Sequence, residues 1–433
     1  MTVHPEHHAA RDPARWRTAC LLGLLLACAF MAWRGPARAL SDGGSSDWSL
    51  IYSAGRAWLT GHNPYTVEGT GHAWVSSAGD EPIPSERNAA LLVYPPSTFA
   101  VLTPWLVVGW TASKWAWAIT GALLIVACTA MALRISGVAA RSGPWWAGMI
   151  LATLLAPGHT AVFAGQPSVL VLALVLGAHG CRLRGRPLAS GVLLGLASAL
   201  KPQVGLLFLA YEAGRFRWTP AAVGAGVAGL ALVVGVLRLE ASGIDWLTAW
   251  RANLDAFTAT DNADPSPANP LRHQLVNLAY FLHCWIADPG TVRVLSYAIV
   301  AGLGATYWWV DRTRREAPGE MLSLSVVAVI SLLVVYHRAY DAVLLVIPLA
   351  WAVRRITVGP RSCGWVVLAL VSIFLAPGGV LVAWAEARGV FPGWLTGGML
   401  WRGVIAPHAP LTLLAMGLVL IAARGRDPAA APR

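Results

Sequence analysis

Asp47 is the acidic residue of this chain whose surroundings best suit chemistry, because it stands in the run Ser45-Ser46-Asp47-Trp48 directly before a predicted amphipathic helix. A carboxylate beside apolar surface can act as a general base that accepts a proton from a hydroxyl group. A carboxylate or serine at this position can equally cap the helix by accepting hydrogen bonds from its first free N–H groups. The pattern therefore leaves two roles open for Asp47, a base and an N-cap.

Lys201 interrupts the apolar run Leu188 to Tyr211, and an ionisable residue in such a run is a functional hypothesis by default. Its ammonium group could bind a phosphate as a point charge. The alternative is that the long side chain extends to the nearest polar surface without a specific ligand. In either case we expect Lys201→Met to leave the fold intact, because losing a charge at the interface costs a helix little. We predict that Lys201 binds a phosphate group.

Three further polar residues, His337, Arg338 and Asp341, separate the apolar runs Met321 to Tyr336 and Ala342 to Val353. Histidine and arginine side chains beside a buried carboxylate could stabilise the negative charge of a departing phosphate. Arg338 and Asp341 are also spaced so that they could simply pair with each other on a helix. Both interpretations fit the spacing.

Two glycine-containing motifs carry less information. Gln166 lies in the Gly165 to Ser168 turn, where turn chemistry alone explains the glycine and the proline. The stretch Gly224 to Gly229 matches the glycine pattern of a dinucleotide-binding loop, but no strand precedes it. We expect these glycines to allow close helix packing, as Gly191 and Gly195 would.

The composition indicates that the helices which position these residues are embedded in a membrane. Of the 433 residues, 56% are hydrophobic and 12% are charged, and the mean hydropathy is +0.58. Soluble domains carry roughly a quarter charged residues. Four of the apolar runs approach the length of about 20 residues that crosses a bilayer: Thr18 to Trp33, Trp117 to Leu133, Pro220 to Leu237 and Met321 to Tyr336.

The net charge of +11 could suggest a nucleic acid partner, but the arginines fall in short clusters between the apolar runs. Such clusters set the orientation of a membrane protein, and we predict no binding of nucleic acid. Five of the six cysteines lie in or beside apolar runs, which leaves Cys284 without a partner. We therefore expect neither a disulfide nor a cysteine metal site.

If every basic cluster is cytoplasmic, two apolar runs cannot be simple crossings. The run Leu91 to Val108 contains Pro95, Pro96 and Pro104 and is predicted to be re-entrant or interfacial. The run Leu188 to Tyr211 must leave and return, and it should split into two short helices at Lys201 and Pro202.

The predicted architecture is an all-α polytopic membrane protein with about twelve transmembrane helices in a single domain. Residues 1–17 and 424–433 are expected to be cytoplasmic tails, and residues 35–90 and 238–290 two long external loops with interfacial helices. All the polar segments described above then lie on the external side. No sequence repeat is visible, which weakens a transporter interpretation.

Taken together, the motifs resemble glycosyltransferase family 87, a family of membrane enzymes with the GT-C fold that use a sugar linked to a polyprenyl phosphate. The matching segments occur through most of the chain and in the family's order: Asp47-Trp48 with Tyr52, Gly61 to Tyr65, Tyr94-Pro95-Pro96 with Pro104, Gly165 to Ser168, Leu200-Lys201-Pro202, and His337 to Asp341 before Pro348.

The resemblance implies an inverting hexosyltransferase of the cell envelope, with mannose as the favoured sugar and a glycolipid or glycan as the acceptor. Asp47 and His337 are then the catalytic candidates, and Lys201 and Arg338 the candidates for binding the donor phosphate. The segments also indicate four substrate-binding candidates: Tyr65, Tyr94, Gln166 and Asp341. The late segment Val335 to Asp341 departs from the serine- and histidine-rich pattern of many mannosyltransferases in the family.

Neither a cofactor nor a metal is expected. The sequence has no Asp-x-Asp pair that could hold a nucleotide-sugar donor through a divalent ion, which agrees with a lipid-linked donor. Two alternatives remain open, a transporter or flippase of a lipid-linked saccharide and a ligase or polymerase of related architecture.

Overall fold

The computed structural model describes residues 13–41, 43–78, 92–259, 263–266, 269, 271–313, 319–359 and 361–426. Throughout these ranges the regular structure is helical, and the pairing between Leu275 and Arg338 is an isolated antiparallel bridge. The predicted all-α class is therefore confirmed.

The helices of the first half, numbered as used below, are α1 (Pro13–Ala32), α2 (Ser46–Thr60), α3 (Val67–Ala78), α4 (Pro96–Leu106), α5 (Trp110–Ile135), α6 (Gly143–Leu154), α7 (Ala156–Ala164), α8 (Ser168–Leu183), α9 (Pro187–Leu200) and α10 (Pro202–Gly214). Those of the second half are α11 (Trp218–Glu240), α12 (Trp246–Ala259), α13 (Leu278–His283), α14 (Pro289–Thr313), α15 (Glu320–Val334), α16 (Val346–Thr357), α17 (Arg361–Ser372), α18 (Gly378–Ala387), α19 (Gly393–Thr396) and α20 (His408–Arg426).

Several helices in the described ranges have the length and hydropathy of membrane spans: Trp16–Leu40, Trp110–Ile135, Trp218–Glu240 and His408–Gly425. Two bent pairs raise the number from 4 to 6 if each pair is one span, α6 with α7 at 43° and α17 with α18 at 49°. Other apolar helices, such as α8, α9 and α15, have 14 to 16 residues, fewer than the roughly 20 that cross a bilayer without tilt or thinning. The count of about twelve crossings stays a prediction.

The two apolar runs that were predicted not to be simple crossings, Leu91 to Val108 and Leu188 to Tyr211, are both interrupted at proline residues. α4 has 11 residues, a length of about 16 Å, which is too short for a crossing and agrees with the predicted non-spanning segment. The run around Lys201 splits into α9 and α10, with Pro202 as the first residue of the second helix. That predicted break is confirmed.

The two segments predicted to be external loops are partly helical. A π-helical turn, Trp33–Ala37, and a short helix, Arg38–Leu40, continue α1 beyond the predicted boundary at residue 35. Similarly, α11 continues past residue 238 to Glu240. The apolar stripe of α2 packs inside the protein, since Trp48 and Tyr52 are fully buried. Residues 42 and 79–90 of the first segment lie outside the described residues.

Glycine packing between α9 and α11 follows the prediction only in part. A Cβ atom added at Gly195 would lie 2.6 Å from the Gly224 carbonyl oxygen, and one at Gly191 would lie 2.7 Å from Val223 Cβ. These helices therefore approach as closely as glycine allows. The expectation is wrong for Gly226 and Gly229, which face open space.

Candidate active site

One cavity collects the ends of several helices. Its volume is about 360 Å³, and its walls come from the start of α2, the turn between α7 and α8, the break between α9 and α10, and the segment between α15 and α16. Helix α12 from the second predicted external segment closes one side through Leu254 and Phe257. The Phe257 ring meets Tyr336 edge-on, with 4.9 Å between the ring centroids.

The structure separates the two roles left open for Asp47. Ser45 is the N-cap residue, in a left-handed conformation, and its N–H donates to the Phe163 carbonyl oxygen at 2.9 Å. Asp47 lies within the first turn of α2, and its carboxylate oxygen Oδ2 accepts a hydrogen bond from Gln166 Nε2 at 2.5 Å. The described hydrogen bonds to this carboxylate come from across the site, so Asp47 is a cavity residue and not the cap.

Gly165 explains how Gln166 reaches Asp47. Gly165 has φ +78°, and a Cβ atom there would lie 2.3 Å from Trp48 Cβ, so only glycine lets the turn approach α2 so closely. Trp117 Nε1 donates to the Gly165 carbonyl oxygen at 2.9 Å, and its ring stacks on Trp48 at 3.9 Å. The turn is thus held from both sides, and Gln166 faces the start of α2.

A chain of hydrogen bonds leads from Tyr94 to Asp47. The Tyr94 hydroxyl donates to Gln166 Oε1 at 2.9 Å, which orients the amide so that its Nε2 donates to Asp47. Tyr65 supports the chain one step back, because its hydroxyl donates to the Tyr94 carbonyl oxygen at 2.9 Å. Asn253 of α12 donates to the Tyr65 carbonyl oxygen at 3.1 Å.

Lys201 and Asp341 form a charged pair in the cavity. Lys201 Nζ lies 2.5 Å from Asp341 Oδ1 and donates to Ser168 Oγ at 2.9 Å, and both charged side chains are 3% exposed. The Ser168 hydroxyl also donates to Asp341 Oδ1, and His337 Nδ1 lies 2.9 Å from Asp341 Oδ2. Asp341 therefore pairs with His337, four residues before it, and with Lys201, which is 140 positions away in the chain.

Backbone geometry places each cation. Lys201 is both the C-cap residue of α9 and the N-cap residue of α10, with φ −138° and ψ 86°. A residue that precedes proline is disfavoured in the helical region of φ and ψ, which explains this backbone conformation. Its ammonium group also lies 5.4 Å from the centre of the Tyr340 ring. Arg338 is fixed by its backbone pairing with Leu275, and its side chain lines the cavity.

The two carboxyl groups have opposite pKa shifts. Burial raises the pKa of Asp47 above its usual range, and the hydrogen bond from Gln166 and the nearby cations offset only part of that effect. Burial also acts to raise the pKa of Asp341, but the Lys201 ammonium and the contact with His337 outweigh it and hold that pKa below its usual range. Carboxyl groups with separated pKa values in one cavity are typical of acid–base sites.

Most of the predicted site residues meet at this cavity. Six line it: Asp47, Tyr94, Gln166, Lys201, Arg338 and Asp341. Tyr65 and His337 do not line it. Both are buried and reach the cavity through Tyr94 and Asp341 respectively.

Several residues of the cavity were not predicted as site residues, among them Ser168, Leu254, Phe257, Tyr336 and Tyr340. Ser168 belongs to the quoted Gly-Gln-Pro-Ser turn, and the apolar stripe of α12 contains Leu254 and Phe257. These signals were visible in the sequence, but nothing in it showed that the stripe faces the same cavity as Asp47. Only the way the segments pack joins them.

Apolar helices of spanning length together with a cavity of acid–base and cationic side chains are the features of an integral membrane enzyme. Residues 92–335 match the family model described as glycosyltransferase family 87. The chain belongs to glycosyltransferase family 87, as the sequence motifs predicted, and is a membrane glycosyltransferase with a sugar donor and an acceptor as substrates.

No curated protein and no solved structure matches the chain. The range that matches the family model includes Tyr94, Gln166 and Lys201 and ends before His337. Asp47 and Asp341 lie outside this range, so their place beside the matched residues depends on the tertiary structure.

Proposed function

We propose that this protein transfers a sugar, with mannose as the favoured substrate, from a polyprenyl phosphate to a hydroxyl group of a glycolipid or cell-envelope glycan. The observation that carries the proposal is that Asp47 lines the same cavity as Lys201 and Arg338. A base for the acceptor hydroxyl and cations for the leaving phosphate are thereby available within one space of about 360 Å³.

In the proposed reaction, the acceptor hydroxyl attacks the anomeric carbon while Asp47 accepts its proton. The bond between that carbon and the phosphate oxygen breaks, its electron pair stays on the phosphate, and the configuration inverts. The raised pKa of Asp47 strengthens it as a base, because base strength follows pKa. Since the described hydrogen bonds to Asp47 use Oδ2, oxygen Oδ1 is the proposed proton acceptor.

Arg338 and Lys201 would neutralise the charge that builds on the departing phosphate. The Lys201 ammonium has three N–H groups, and its described hydrogen bonds use two, to Ser168 and Asp341. The third is proposed to bind the phosphate. His337 contacts Asp341 in the interior, so we assign it a positioning role within the predicted catalytic set.

The proposal requires no cofactor and no metal, because the two cations supply the charge that a divalent ion would otherwise provide. It places the cavity on the external face and both termini in the cytoplasm, in keeping with the basic clusters of the sequence. A hydrophobic polyprenyl chain would reach the cavity from the bilayer.

The test is the variant Asp47→Asn. Asparagine keeps an oxygen that accepts the hydrogen bond from Gln166 but removes the base. Turnover should fall on the order of a hundredfold to ten-thousandfold, while donor binding and thermal stability stay near those of the wild type. Transfer is measured with the purified protein, a radiolabelled polyprenyl-phosphate mannose and candidate glycolipid acceptors.

The matched control is Asp255→Asn, which removes an exposed carboxylate from α12 and should leave transfer unchanged. Near-normal transfer by the Asp47 variant would exclude Asp47 as the base. Loss of donor binding together with transfer would instead assign Asp47 to the donor and refute the proposed division of roles.

A further inference from the structure

A second cavity, of about 440 Å³, lies among α10, α14 and α15. Its lining joins three arginines and the carboxylate of Asp311 to three aromatic rings: Arg215, Arg217 and Arg312, with Tyr211, Phe216 and Trp308. Its apolar wall includes Leu207, Val327 and Ile330. A cationic end joined to an apolar wall is the chemistry of an amphipathic anion.

This cavity is separate from the candidate active site. α10 begins beside Lys201, and its last residue, Gly214, lines the second cavity. The 13 residues of α10 span about 20 Å. α8 likewise runs from Ser168 at the active site to Arg182, which pairs with Glu320 at the other end. The second cavity therefore lies at the opposite ends of the helices that build the first.

The arginines of the second cavity are held by neighbouring groups. Arg215 pairs with Asp311, and Arg217 Nη2 lies 2.9 Å from Glu320 Oε1. The described contacts of the Arg312 guanidinium are with the Phe216 ring at 4.5 Å, the Trp308 ring at 4.7 Å and the Gly214 carbonyl oxygen at 3.4 Å.

The charged side chains around the second cavity favour the binding of an anion. The guanidinium groups of Arg182, Arg215, Arg217 and Arg424 pair with the carboxylates of Glu212, Asp311 and Glu320. The described contacts of Arg312 are to rings and a carbonyl, so its charge is not balanced by that set. A guanidinium fork binds phosphate oxygens in pairs.

The rim of the cavity has the character of a membrane interface. Phe216 and Trp308, which line the cavity, are 62% and 52% exposed, and Trp218, whose ring packs edge-on against Phe216, is 63% exposed. Amphipathic aromatic rings concentrate at the level of lipid headgroups. Phe216 also adopts φ +56°, a conformation that phenylalanine rarely takes and that sets its ring against Arg312.

We propose that this cavity binds the headgroup of an anionic phospholipid, with its phosphate on Arg312 and Arg215 and an acyl chain along Leu207, Val327 and Ile330. The two halves of the cavity match the two halves of such a lipid. The aromatic rim would hold the headgroup at the membrane–water interface, where tryptophan and tyrosine side chains concentrate. This inference does not depend on the proposed transfer reaction, because the two cavities share no lining residue.

Gly304 offers a selective test. It lines the cavity, and a Cβ atom at Gly304 would meet nothing within 4 Å, so Gly304→Leu should fill the apolar part without a clash. Gly302 is the matched control. It lies on the same helix, also faces open space, and does not line the cavity. Arg312→Gln removes the phosphate contact by a different route.

The full-length protein, purified in detergent, is examined by thermal unfolding and by native mass spectrometry with added phosphatidylglycerol, phosphatidylcholine or sn-glycerol 3-phosphate. A ligand that binds only the folded state raises the melting temperature. Phosphatidylglycerol should raise it by a few degrees in the wild type and Gly302→Leu, with one retained lipid. Gly304→Leu and Arg312→Gln should lose that rise and that lipid.

An equal rise in Gly304→Leu and Arg312→Gln would overturn the proposal. An equal rise with phosphatidylcholine would show a neutral lipid site, and an equal rise with glycerol phosphate a soluble phosphate site; either result also overturns it. Sugar transfer in phosphatidylcholine should be unchanged in Gly304→Leu, which separates this test from that of the proposed function.

Discussion

Asp47 and Asp341 line one cavity, yet their surroundings separate their roles. Asp341 is paired with the Lys201 ammonium, so its charge is already balanced within the protein. The Asp47 carboxylate accepts its described side-chain hydrogen bond from a neutral amide, and burial raises its pKa. Of the two carboxylates, Asp47 is therefore the one suited to accept a proton.

The hydrogen bond from Gln166 lowers the pKa of Asp47, because it stabilises the charged form. Removing it in Gln166→Ala should raise that pKa further. The proposed base would then be protonated up to a higher pH, and the acid limb of the kcat profile should move to higher pH. The pH dependence of transfer measures this shift. Gln203→Ala, in the same cavity wall, should leave the limb in place, and an unmoved limb in the Gln166 variant would contradict the assignment.

The buried pair changes the expectation for Lys201→Met. An extended surface lysine could be lost at little cost, but here the change leaves Asp341 charged, 3% exposed and without its ammonium partner. Loss of one partner of a buried pair costs about 3–5 kcal/mol, to be measured by thermal unfolding in detergent. Lys201→Met with Asp341→Asn should recover much of that stability but not donor binding. Full stability of the single variant would argue against the pair.

At the scale of elements, the site depends on the turn between α7 and α8. The positive φ of Gly165 directs the chain from one helix into the next, and its missing side chain lets the turn press on Trp48. The packing of Trp48 against Trp117 then sets the distance between α2 and the turn. A structural glycine thus decides whether Asp47 and Gln166 can meet.

Gly165→Ala should therefore reduce transfer without altering any polar group of the site. The cost combines the left-handed backbone, roughly 1–2 kcal/mol, with overpacking of roughly 1–3 kcal/mol. Gly185→Ala is the control, because Gly185 also has a positive φ, +69°, but a Cβ atom there meets nothing within 4 Å. Thermal unfolding and transfer assays should show a small stability loss and normal activity in the control. Equal behaviour of the two variants would exclude the packing argument.

At the scale of the whole molecule, the orientation of the helices in the membrane decides which cavity faces the cell exterior. The candidate active-site cavity and the arginine-lined cavity lie at opposite ends of α8 and α10. The proposed orientation puts the first outside and the second inside. Ser46 and Thr258 are exposed near the first end, and Thr313 is exposed at the second.

Single cysteines at these positions test the orientation in intact cells, in a variant without the six native cysteines. Cysteine at position 46 or 258 should react with an impermeant thiol reagent, whereas cysteine at position 313 should react only after the membrane is permeabilised. Retained transfer activity controls for folding. Labelling of position 313 alone in intact cells would invert the orientation and the proposed external site.

The sequence by itself determined the membrane class, the helix break at Lys201 and the family of this protein. Hydropathy predicts the helical membrane class, because apolar runs of this length cannot be buried otherwise. Pro202 predicts the break at Lys201, because proline cannot continue a helix. The motif segments indicate the family and six residues that line the cavity. These inferences succeed because each depends on residues that are close together in the chain.

Tertiary structure decided which of those residues touch. Asp47 meets Gln166 across 119 positions of the chain, and Lys201 meets Asp341 across 140. Helical spacing alone left open a pairing of Asp341 with Arg338. His337 and Tyr65 were indicated as direct participants, and packing places them behind Asp341 and Tyr94. The reason is that burial and pairing depend on how helices pack, and the Gly165 contact that brings α2 to the turn has no signature in either segment alone.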